Sequence, residues 1–143
     1  MTPNTAARIV GLTGWGLMIF GVPFVSIAFA GYDSFAHASI DFLDFSRTHT
    51  ETLTRDARLF GAVFAGLITG FGALYAFGIA PLLKVRNIEA NRIARRAGII
   101  AAIVWFVVDS TGSVASGVWS NAMFNVIYLL LLVVPLAMVE FER

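Results

Sequence analysis

Four stretches of this chain stay free of charge for about the thickness of a bilayer. They run over residues 9–30, 59–83, 97–116 and 122–139, and Asp109 alone interrupts them. A helix needs roughly 20 apolar residues to cross the hydrocarbon core, so each stretch is long enough. None alternates apolar with polar residues, which excludes half-buried strands and the ten-residue pattern of a membrane β-barrel. A chain that is 58% hydrophobic and 13% charged, with a mean hydropathy of +0.81, has too little polar surface to cover such segments in water. The expected fold is all-α: a single four-span bundle, with its one sizeable connection at residues 31–58.

Basic residues set the expected orientation. Lys84, Arg86, Arg92, Arg95 and Arg96 lie between spans two and three. With Arg8 and Arg143 they make seven of the ten basic residues on one side. That side is expected to be cytoplasmic, with both termini. Residues 31–58 and the turn around Gly117, Val118 and Trp119 are then outside. The first apolar run follows Arg8 and ends in Ala28-Phe29-Ala30, as a cleavable signal would, but it is longer than the roughly 7–15 apolar residues of a signal core. A retained helix is expected.

Within the outer connection, Asp33, His37, Asp41 and Asp44 fall on one face of a helix, against Phe35, Ile40, Phe42, Leu43 and Phe45. This predicts a short interfacial amphipathic helix. It reads either as a lid over the bundle or as a docking surface. Thr48 and Glu51 have capping-box spacing, which would start the second helix outside the membrane. Pro23, Pro81 and Pro135 predict a bend late in spans one, two and four.

Small residues give the candidate packing faces. Ala62, Gly66 and Gly70 recur every fourth residue in span two, as do Gly112 and Ser116 in span three. Such stripes let another backbone approach closely. The contact is either with this chain's own helices or with a foreign helix or second copy.

Asp109 is the most informative single residue. It lies roughly 19 Å beyond Arg96 at 1.5 Å per residue, past the midplane. An acid there costs several kcal/mol unless paired, protonated or hydrated. Arg58, Asn121 and Asn125 are its candidate partners, and Ser110, Thr111 and Ser113 surround it on its own helix. The cluster is either a clasp that fixes helix register or a proton- or cation-binding carboxylate. Small four-helix exporters carry their acid in the first span, and this first span has none.

Other chemistry lacks its ligands. There is no Cys, and the two histidines, His37 and His49, both fall in the outer connection, so haem ligation within the bundle and thiolate metal sites are excluded. His37, Asp41 and Asp44 offer one imidazole among carboxylates, a weak zinc set. No phosphate loop, metalloprotease or serine-hydrolase motif occurs. The net charge of +1 gives no footprint for nucleic acid. No cofactor and no enzymatic activity are expected.

The stretch Arg55-Asp56-Ala57-Arg58-Leu59-Phe60-Gly61, opening a glycine-rich second span, resembles small four-helix bacterial inner-membrane proteins. The resemblance covers a minor part of the chain. It implies a fold and a location, and it implies no activity. The expected role is an accessory or scaffold subunit of a larger membrane complex, respiratory or photosynthetic, or of a homo-oligomer. The alternative is a small proton- or cation-coupled transporter built on Asp109.

Overall fold

The computed structural model describes residues 1–45 and 52–141, and among them it contains helices and no strand. Four helical segments are long and apolar enough to cross a membrane. The first is α1 (Pro3–Phe24), extended by a 3-10 turn over Val25–Ala28. A short helix, α2 (Ser34–Leu43), follows. The second long segment is α3 (Arg55–Ala73), continued by a π-helical stretch Leu74–Ile79 and a last α turn Ala80–Leu82. The third and fourth are α4 (Ile88–Ala115) and α5 (Trp119–Met138).

The ends of these helices follow capping chemistry, which a hydropathy window does not see. Thr2 Oγ1 accepts from the Thr5 N–H at 3.3 Å, with Pro3 as the first helical residue. Asn87 Oδ1 accepts from Ala90 N–H at 3.0 Å. It starts α4 nine residues before the expected Ala97, so Arg92, Arg95 and Arg96 stand on a helical extension rather than in a loop. Thr54 caps α3, accepting from Ala57 N–H at 3.2 Å. Thr48 and Glu51 lie outside the described residues, and residues 52–54 are not helical.

The prolines act unequally. Pro81 cannot donate to the carbonyl one turn before it, and the π stretch immediately upstream absorbs that break. Pro23 precedes the tightening into the 3-10 turn. Pro135 is buried, and α5 remains helical through it.

The α4–α5 connection is a Schellman turn. Val118 N–H reaches Ser113 O at 2.9 Å and Gly117 N–H reaches Val114 O at 3.0 Å. Gly117 has φ +85°, a conformation that a Cβ disfavours.

Helix α1 is central. It packs on α3 and on α5, and α5 packs on α4. Helix α4 touches α3 through Phe71 and Trp105, whose ring centroids are 5.9 Å apart, and it meets the second segment mainly at the π stretch. There the Tyr75 hydroxyl donates to Gly98 O, and a Cβ at Gly98 would lie 2.8 Å from Leu136. The ring of helices is therefore closed at one end and spread between α3 and α4 at the other. At the closed end Met1, Lys84, Arg86, Asn87 and Glu140 line a surface pocket, and this end is called the basic end below. The opposite, lid end carries α2.

Two core clusters result. One joins Val10, Tyr75, Ile79, Leu83, Leu132 and Leu136 toward the basic end. The other joins Phe24, Ile27, Ala36 and Ala65 at the lid end. Helix α2 lies across the lid end. Phe35 meets Phe24 with centroids 6.1 Å apart, Phe42 stacks on Phe124 at 5.0 Å, and Ser120 Oγ donates to Leu43 O. This geometry favours the lid over an unattached docking surface.

The glycine stripes turned out to face the wrong way for packing inside the chain. A Cβ added at Gly66, Gly70 or Gly112 would meet nothing within 4 Å. Ser116 is exposed as well. The close approach is made instead by Gly14 and Gly72, where a Cβ on either would fall 2.5–2.6 Å from the other's carbonyl oxygen. Gly72 is two residues past Gly70, which turns it roughly 200° around the helix to the opposite face.

Candidate functional site

The short Schellman connection fixes how α4 and α5 face each other near the lid end. On α4, Asp109, Ser110 and Ser113 occupy one face by i, i+1 and i+4. On α5, Asn121 and Asn125 are one turn apart and point back at them. Asn121 Nδ2 donates to Asp109 Oδ1 at 3.0 Å and to Ser113 Oγ at 2.8 Å. Asn125 Nδ2 donates to the same Oδ1 at 3.1 Å and to Ser110 Oγ at 3.2 Å. Ser113 Oγ lies 3.1 Å from Oδ1 and 2.8 Å from the Asp109 carbonyl. Asn125, Ser110 and Ser113 are buried, and Asp109 is half-buried. Thr111 is exposed and takes no part.

Arg58 does not join this cluster. Its guanidinium grips the Asp33 carboxylate with both terminal nitrogens, Nη2 to Oδ2 at 2.7 Å. Nη1 also donates to the carbonyls of Ile27 at 3.1 Å and Phe29 at 3.2 Å. Arg58 thus ties the start of α3 to the end of the first segment, satisfying carbonyls that a helix terminus leaves open. That hydrogen-bonded guanidinium holds the Asp33 carboxyl below the usual carboxylate range, against a smaller opposing effect of burial. Among the described residues, Asp109 has no cationic partner.

Asp109 borders a cavity of about 440 Å³. It lies between the two core clusters, where α3 and α4 spread apart. Asp109, Asn121 and Asn125 form its polar end, and Leu17, Ile68, Ile127 and Leu131 line the apolar remainder. Aromatic walls come from every long helix: Phe20, Phe64, Trp105, Phe124 and Tyr128. Phe42 and Leu43 of the lid helix close it toward the lid end. A second, shallower groove of about 600 Å³ lies on the outside between α3 and α4. Phe64, Trp105 and Asp109 line both, so these three side chains form the wall between cavity and outer surface.

Asp109, Asn121 and Asn125 lie together as their spacing suggests, whereas the aromatic walls were not anticipated from the sequence. A signal was present: Trp105, Asp109, Gly112 and Ser116 share a face of α4, and Asn121, Asn125 and Tyr128 share a face of α5. His37, Asp41 and Asp44 do not assemble a metal site: no cluster of three His or acidic side chains occurs among the described residues. His49 lies outside them. No known protein family, curated protein or solved structure matches the chain.

Proposed function

We propose that this chain is a small cation- or proton-coupled carrier of the membrane, with Asp109 as its binding carboxylate and no catalytic step. The observation that carries this reading is an acid with no cationic partner among the described residues, at the edge of a cavity. An acid at the centre of a membrane helix costs about 2.5–3.5 kcal/mol on insertion scales, and one at Asp109, past the midplane, costs somewhat less. Hydrogen bonds from Asn121, Asn125 and Ser113 offset that cost, since each hydrogen bond to an ion contributes about 1.5–3 kcal/mol. In this reading the four helices lie in a bacterial inner membrane, with the basic end and both termini in the cytoplasm. Proteoliposomes with an internal pH reporter test it. A monovalent cation gradient should drive proton flux through the wild type, and Asp109→Asn should reduce the flux to that of empty vesicles. Equal flux through both would overturn the reading.

A second reading, an accessory subunit packed against another membrane helix, is favoured by the open faces at Gly66, Gly70 and Gly112. Purification in mild detergent followed by mass spectrometry tests it. The subunit should leave the membrane with a partner and lose it on Gly66→Leu. A lone monomer in every detergent would remove this role.

A further inference from the structure

We infer that the cavity beside Asp109 takes a lipophilic cation, an organic amine or quaternary ammonium with an apolar body, admitted sideways from the lipid between α3 and α4. The inference rests on the reading of Asp109 as a cation site and names the guest.

The polar end of the cavity selects by charge. Each of the two asparagines has one NH2 group with two N–H bonds, and each spends both within the cluster. Asn121 Nδ2 holds Asp109 and Ser113; Asn125 Nδ2 holds Asp109 and Ser110. No amide donor is left for a guest. What faces the guest is a carboxylate, an acceptor that repels anions and gains little from neutral acceptors. A donor or a cation is the complementary partner.

The rest of the cavity selects for an apolar body. Its volume, about 440 Å³, falls within the roughly 300–1,000 Å³ of small-molecule sites. A bare metal ion or proton would leave most of that space unfilled. Rings of Phe64, Trp105, Phe124 and Tyr128 line it, and aromatic faces attract organic cations, most strongly where water is excluded. Phe124 is itself fixed by its stack on Phe42 of the lid.

The route follows from the walls. The lid closes the cavity toward the lid end, and the first core cluster fills the bundle toward the basic end. The thin side is the one that Phe64, Trp105 and Asp109 share with the outer groove, whose other residues include Val104, Val108 and Gly112. That groove faces outward from apolar helices, so its natural supply is molecules dissolved in the bilayer.

The test uses the full chain in lipid nanodiscs with Trp15 and Trp119 changed to Phe, leaving Trp105 as reporter. Benzyltrimethylammonium is titrated against its uncharged carbon isostere, benzenesulfonate and sodium chloride. We expect a saturable Trp105 response to the cation, with affinity about tenfold or more above the isostere and no response to the sulfonate. Asp109→Asn should remove that preference and Asp109→Glu should retain it, with helical content by circular dichroism unchanged in both. Equal affinity for cation and isostere would overturn the inference and leave an apolar cavity. A sodium response lost in Asp109→Asn, with no response to the organic cation, would overturn the inference and spare the carrier reading. Silence toward every probe would also overturn the inference, and the proton-flux assay would then decide the carrier reading alone.

Discussion

Asp109 keeps its place through acceptor geometry rather than through an ion pair, and its variants should divide accordingly. Asp109→Asn still presents an oxygen to Asn121, Asn125 and Ser113. It should cost no more than about 1–2 kcal/mol, the difference between charged and neutral hydrogen bonds. Asp109→Leu orphans the buried donor of Asn125, at about 1–3 kcal/mol for each unsatisfied group. It should therefore melt clearly below Asp109→Asn in nanodiscs. Equal melting temperatures would deny the hydrogen bonds their role. Arg58 belongs to a different device, and pH separates the two. Because Asp33 is held below the usual carboxylate range, its clasp with Arg58 stabilises the folded state above that range and loses its contribution as pH falls through the lowered value. The stability gap between wild type and Asp33→Asn should be constant near neutrality and close in strong acid. A gap that widens on acidification would contradict the sign. Pairing Arg58 with Asp109 was a reasonable expectation from depth alone. Asp33 sits 25 residues from Arg58 in sequence, and only the turn after the first segment brings it near.

At the scale of the elements, the apolar runs made all four long helices legible, and the alternation at residues 33–45 made α2 legible. Hydropathy reports where a helix leaves lipid, whereas caps such as Thr54 and Asn87 determine where it ends, so α4 was drawn too short. The packing face was harder to read. Gly66 and Gly70 form the recognisable motif, yet Gly72 makes the contact, because spacing reveals that two glycines share a face and not which face is turned inward. Substitution separates them. Gly72→Ala pushes a Cβ against the Gly14 carbonyl and should cost about 1–3 kcal/mol as overpacking. Gly66→Ala adds a methyl in open space and should be neutral or stabilising by about 0.5–1 kcal/mol through helix propensity. Denaturation of the two variants in detergent checks this. The reverse order would mean that the α1–α3 seam is misplaced.

For the whole molecule, the arrangement is a bundle closed at its basic end and spread at its lid end, with an aromatic cavity where the helices part. The cavity was not legible in the sequence, because a void is defined by where helices part, here α3 and α4 beyond the Phe71–Trp105 contact, and no residue encodes that. The chain has no cysteine, so single reporters define its orientation cleanly. In intact cells or sealed vesicles, Tyr32→Cys should react with a membrane-impermeant maleimide from outside, and Ala90→Cys only after the membrane is opened. Labelling of Ala90→Cys from outside would reverse the topology. The central claim, that Asp109 is a charge kept for a guest, is tested most directly by infrared difference spectroscopy of the protein in nanodiscs with and without benzyltrimethylammonium. A cation-induced shift of a carboxylate band in the wild type that disappears in Asp109→Asn is the predicted result. The same difference spectrum from both proteins would contradict it.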